Sequence, residues 1–114
     1  MLNDKPRVVA KLKTILPTYY ELSCNSDTPK PCITYNENFN ADDVISKERG
    51  YSRVQMTIKV WLNGTDIGEA TTYAQSIDTA MRDLGYRRVS SIELFVGGQI
   101  EKVLIYEALG KEEY

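Results

Sequence analysis

The residues best suited by type to chemistry are Asp42 and Asp43, with Glu37 nearby. Clustered carboxylates hold hard cations, and a pair of carboxyl groups can divide acid and base work. The spacing matches no calcium-binding loop, and side chains of adjacent residues often point apart. The chain has no histidine, which excludes a Ser-His-Asp or Cys-His relay and the usual zinc and non-haem iron sites. The expectation is a solvated acidic loop in a protein that is not an enzyme, with no catalytic residue, metal or cofactor.

Other constellations are weighed in the same way. Lys5, Arg7, Lys11 and Lys13, followed by Tyr19 and Tyr20, combine charge and aromatic rings as single-strand binders do, but four positive charges on one helix are ordinary and read first as a solvated face. Gly97-Gly98 lacks the flanking pattern of a phosphate loop and no helix follows it, so it reads as a hairpin turn. Arg87 and Arg88 suit an anion clamp or an intersubunit ion pair, against two charges at a strand end. Cys24 and Cys32 are too few for a disulfide framework and are expected to be reduced, structural thiols. Eight tyrosines are an excess, and tyrosine suits interfaces because an apolar ring carries a polar tip.

These residues must be positioned by one domain spanning 1–114. The 114 residues carry 14 basic and 16 acidic groups, a net charge of −2, with 42% hydrophobic residues. That is enough to bury a core, and it supplies no basic field to draw in DNA or an anionic membrane. The first residues lack the apolar core of a signal peptide, and no window approaches a membrane span. The protein is expected to be made and used in solution.

Asn3 or Asp4 can cap a helix from about Lys5 to Ile15, which Pro17 stops. Tyr19–Leu22 and Cys32–Tyr35 suit short strands. Asn36 to Gly50 is polar and acidic and reads as the longest loop or flap. From Tyr51 to Leu62 the alternation is clean, with Val54, Met56, Ile58, Val60 and Leu62 on one face and Tyr51, Arg53, Gln55, Thr57, Lys59 and Trp61 on the other: a long half-buried antiparallel strand. After the Asn63-Gly64 turn, Ala70, Tyr73, Ala74, Ile77, Ala80, Met81 and Leu84 form a helical stripe that Gly85 terminates. Residues 89–96 and 99–109 form a closing hairpin, with the register across Ser90 and Ser91 open. The fold class is α+β: an antiparallel or mixed sheet of four to five strands with two helices packed on one face. Its other face would be partly uncovered, and an unpaired edge strand invites oligomerisation or strand addition.

Specific wording adds to this. The stretch Pro31-Cys32-Ile33-Thr34-Tyr35-Asn36-Glu37-Asn38, continuing to Asn40-Ala41-Asp42-Asp43, resembles the P-C-I-T-Y... A-D-[DN] segment of the tail terminator, or tail-completion, proteins of long-tailed bacteriophages, a family also described as tail-to-head joining or minor structural proteins. Leu16-Pro17-Thr18-Tyr19-Tyr20-Glu21-Leu22 stands where that family has a short strand after its first helix. Val60-Trp61, Met81-Arg82-Asp83-Leu84-Gly85-Tyr86-Arg87-Arg88 and Lys102-Val103-Leu104-Ile105-Tyr106-Glu107 continue the likeness over nearly the whole chain. The turn Phe95-Val96-Gly97-Gly98-Gln99 departs from it in being glycine-rich and less acidic.

The resemblance implies a non-enzymatic virion protein, assembled in the bacterial host cytoplasm and located at the head-proximal end of the tail. It implies a ring of identical subunits, often a hexamer, that caps the finished tail tube and meets the head-tail connector. Glu37, Asn38, Phe39, Asp42 and Asp43 are then expected at the ring lumen or the tube-facing surface, where carboxylates repel phosphate and let DNA pass without specific binding. Lys59, Trp61, Arg87 and Arg88 are expected at the subunit boundary, where aromatic and arginine anchors dominate. Two alternatives stand beside this reading: a head-completion or connector adaptor, and a small nucleic-acid-binding regulatory module using the basic first helix.

Overall fold

A computed structural model of the chain describes residues 4–21, 30–42, 51–62, 67–97 and 99–111. The elements are α1 (Lys5–Leu12), β1 (Thr18–Tyr20), β2 (Cys32–Asp42), β3 (Tyr51–Trp61), α2 (Ile67–Asp83), β4 (Arg87–Val96) and β5 (Gln99–Lys111). The strands form one five-stranded sheet in the order β1-β2-β3-β5-β4. β1 runs parallel to β2 and every other pair is antiparallel, so the sheet is mixed and the fold is α+β.

β3 lies in the middle because its alternation suits a strand covered on one side. Val54, Met56, Ile58 and Val60 are fully buried, while Gln55, Thr57 and Lys59 between them keep part of their surface in water. Burying each of those large apolar side chains contributes about 1.5–3 kcal/mol. Register carries the same face across the sheet: Ile58 pairs with Tyr35 on β2 and with Leu104 on β5, and Met56 pairs with Tyr106. Val8 and Leu12 of α1 and Ala70, Ala74, Ile77 and Met81 of α2 join these residues in one core. Both helices therefore cover the same face.

α2 ends where Gly85 takes φ +91°. The Tyr86 N–H donates to the Met81 carbonyl and the Gly85 N–H to the Arg82 carbonyl, each at 2.9 Å. That double closure satisfies carbonyls the helix would leave open, and Tyr86 and Met81 meet in the core behind it.

Three expectations are corrected. α1 ends at Leu12 rather than Ile15, because residues 13–15 form a turn in which the Thr14 hydroxyl donates to the Lys11 carbonyl at 2.7 Å. The first strand is Thr18–Tyr20, starting one residue earlier than expected and ending before Leu22. The largest difference lies in the expected loop Asn36 to Gly50: its first part, to Asp42, continues β2 and pairs with β3 as far as Ser52. Backbone pairing needs no apolar side chains, and Asn36, opposite Thr57, and Asn38, bonded to Gln55, meet the polar side of β3.

Candidate functional site

The face of the sheet away from the helices is where the polar residues of β2 and β3 gather. Asn38 marks an irregularity in the β2–β3 register, between Glu37 and Phe39. Its amide donates to Gln55 at 2.9 Å, and its carbonyl oxygen accepts from the Thr57 hydroxyl at 2.8 Å. Gln55 and Arg53 both donate to the Glu107 carboxylate, Arg53 through two nitrogens. The hydrogen bond from Arg53 holds the Glu107 carboxyl below the usual carboxylate range. Three strands are thus joined by one chain of polar contacts.

At the other end of this face sits Trp61. Its indole N–H donates to Thr34 at 2.9 Å, and the ammonium groups of Lys30 and Lys59 lie 5.9 and 5.8 Å from its ring centroid, within cation–π range. Lys59 also pairs with Glu21 and, at 3.4 Å, with Glu101, while Lys30 donates to Gln99. Burial opposes the Lys59 charge, but the hydrogen bond and charge of Glu21 and those of Glu101 outweigh it and raise its pKa. Trp61 is accordingly half-buried and already partnered.

The expected boundary residues do not form one cluster. Trp61 pairs with Glu101, which pairs with Leu94, whereas Arg87 pairs with Glu107, which pairs with Gln55. The two ends lie six positions apart along β3, from Gln55 to Trp61, about 20 Å at the usual strand rise. Arg88 lies on the helix side, 3.6 Å from Asp78 of α2. The expected lumen residues are also divided. Glu37 is opposite Met56 on the helix side and faces Lys5 at 4.0 Å, while Asn38 contacts the polar side. Phe39 stands opposite Gln55 and Asp42 opposite Ser52, and Asp43 lies outside the described residues.

The basic stripe of α1 is not simply solvated. Arg7 makes two bonds to Asp4, at 2.7 and 2.8 Å, and a third to the Leu84 carbonyl; Lys11 faces Asp83. The hydrogen bond to Asp4 raises the Arg7 pKa. Tyr86 donates at 2.6 Å to Oδ2 of the same carboxylate, an oxygen it shares with Arg7, and burial followed by Asp4 pushes its phenol far up. Cys32 is buried and Cys24 lies outside the described residues. Among the described residues no group of three or more His, Cys, Asp or Glu is placed to hold a metal ion, and no helix is long and apolar enough to cross a membrane.

What sequence reasoning missed is the character of β4. It is an edge strand of ten residues whose apolar side chains stand in water: Val89 is 49% exposed, Ile92 47%, Leu94 43% and Phe95 65%. Val89 is the extra residue of a bulge, since Arg88 pairs with Tyr106 and Ser90 with the next residue, Ile105. The signal in the sequence was the broken alternation at Val89-Ser90-Ser91. An exposed, long, apolar edge is a template for pairing with another chain. A scan against protein-family models and a search of curated proteins returned no match.

Proposed function

We propose that the protein is a non-enzymatic subunit of a phage tail-terminator ring, which caps the tail tube, ends its growth and offers a joining surface to the head connector. The observation that carries this reading is the exposed apolar edge of β4. β4 has a bulge and charges, as protected edges do, yet leaves Val89, Ile92, Leu94 and Phe95 in water, and a subunit that assembles leaves such contact surface unspent until its partners arrive. The wording around Pro31–Asp43 supports the tail-terminator family in particular.

On this reading the end of β2 that carries Asp42, continuing to Asp43, faces the tube or the lumen. Glu37 serves α1 instead, through Lys5. A nucleic-acid role for α1 is disfavoured by the carboxylates that already face Lys5, Arg7 and Lys11. The test is a pull-down of the purified protein against polymerised tail tubes and, in parallel, against a portal-side adaptor. Retention on tubes supports the terminator reading; retention on the adaptor alone replaces it with the connector reading.

A further inference from the structure

The edge strand β4 is self-complementary, and we infer that two copies of the protein pair antiparallel through it, with Ser91 opposite Ser91 on the two-fold axis. Directly opposed residues of an antiparallel pair share a face, which restricts the register. Arg88, Ser91, Glu93 and Phe95 pair with Tyr106, Leu104, Lys102 and Ile100 of β5 and so lie on the helix side. Arg87, Ser90, Ile92 and Leu94 lie on the polar side. Because Val89 is an extra residue, the side assignment changes parity there, and a partner strand must skip it as β5 does.

With Ser91 on the axis, Ser90 meets Ile92 of the second copy, and stepping past the bulge sets Arg88 against its Glu93 and Arg87 against its Leu94. Sides match at every position. The two-fold axis repeats each pair, so two Arg88–Glu93 ion pairs form on the helix side while the arginine stems at 87 cover the exposed Leu94 side chains. Both ion-pair partners are within reach, the Arg88 side chain being 43% and the Glu93 side chain 33% exposed. Their present partners, Asp78 at 3.6 Å and Lys102 at 3.2 Å, leave room for a further contact. Centring the pair on Ile92 instead sets Glu93 against Ser91 and Arg88 against Phe95, with no charge matched. The bulge and charges that ordinarily protect an edge strand are here arranged so that a second copy accepts them.

This goes beyond the ring reading and does not rest on it: an isologous contact saturates at two copies, whereas a ring needs two different patches. It describes the full chain away from any tube, where pairing would cover the edge that an isolated subunit exposes. The experiment is sedimentation velocity on the full chain from micromolar to sub-millimolar concentration, with R88E, E93R and the double variant R88E/E93R. The expected result is a wild-type dimer, dissociation constants at least about tenfold weaker in each single variant, which faces like charges, and recovery in the double variant. L94K, which adds a charge at the edge without touching Asp78 or Lys102, should also weaken the dimer, and circular dichroism checks that each variant is folded. A wild-type monomer throughout the range overturns the inference. So does a dimer or larger ring that the single charge reversals leave unaltered, and in the case of the ring the terminator reading survives.

Discussion

Tyr86→Phe tests how α1 is held to the end of α2. The Tyr86 hydroxyl donates to Asp4 Oδ2 at 2.6 Å, in a site where Tyr86 is 3% and Asp4 6% exposed. The substitution keeps the ring in the core and removes only the donor, so that Asp4 retains Arg7 alone among its side-chain partners named above. A hydrogen bond to a charged group contributes about 1.5–3 kcal/mol, and a buried acceptor left short of a donor adds to the loss; about 2 kcal/mol is expected. For a two-state domain of 114 residues the unfolding entropy is about 240 cal/mol/K, which turns that loss into a fall in Tm of about 8 °C.

Alkaline pH reads the same contact independently. Burial and Asp4 raise the folded phenol pKa of Tyr86, and burial and Asp78 do so for Tyr106. The stability linked to a raised pKa is complete below the unfolded value, about 10, and is lost as pH climbs from there toward the folded value. Each phenol contributes a slope of up to about 1.4 kcal/mol per pH unit in that window. Urea denaturation between pH 9 and pH 11, about the unfolded tyrosine pKa, should show this decline in the wild type, with Lys59, whose pKa is also raised, adding to it at the alkaline end, and Tyr86→Phe should make the slope measurably shallower. A variant within about 1 °C of wild type in Tm, with an unchanged alkaline slope, would show that the Tyr86–Asp4 contact does not hold α1 in place.

Other expectations follow from single features. Gly85→Ala meets no atom within 4 Å but must hold φ +91°, so it should cost about 1 kcal/mol through backbone strain alone, read as a lower urea midpoint at constant m. Ile58→Ala, at the centre of the fully buried face, should cost about 2–5 kcal/mol, and a loss below about 1 would show that the site is less packed than described. Glu107 has its pKa lowered by Arg53, so its contribution is present above the unfolded value, about 4.3, and disappears as pH falls through the lower folded one. Glu107→Gln should therefore flatten the acid limb of the stability profile while changing stability at pH 7 by less than about 1 kcal/mol, because Arg53 is half-exposed. Asp42→Lys with Asp43→Lys should leave the monomer folded but reduce tube docking or genome passage; an unchanged phage titre would count against the lumen or tube-facing assignment.

Legibility in the sequence followed the strength of the burial signal. β3 and α2 were readable because each repeats its apolar residues at one period over many positions, and the helix-stopping role of Gly85 could be read from its place after that stripe. The second half of β2 was not readable, since its stabilising contacts, such as Asn38 with Gln55 and Thr57, are cross-strand and appear only once register is known. A polar run that pairs on an uncovered sheet face looks like a loop when judged by hydropathy. Asp4 was legible as the residue before α1, yet its carboxylate makes no cap and serves Arg7 and Tyr86 instead, a pairing across 82 positions that no local pattern reveals. The exposed side chains of β4 were apolar in the sequence, but only the strand order placed them at an edge. Lys59 and Trp61 looked available for a partner because the residue types that anchor interfaces also fill polar clusters within one sheet.

The proposed capping of tail tubes can be tested by mixing the purified protein with purified tubes that are still polymerising and viewing tube ends and lengths by negative-stain electron microscopy. Rings at one end of the tubes and arrested elongation are expected. Bare ends on tubes that continue to lengthen would contradict it.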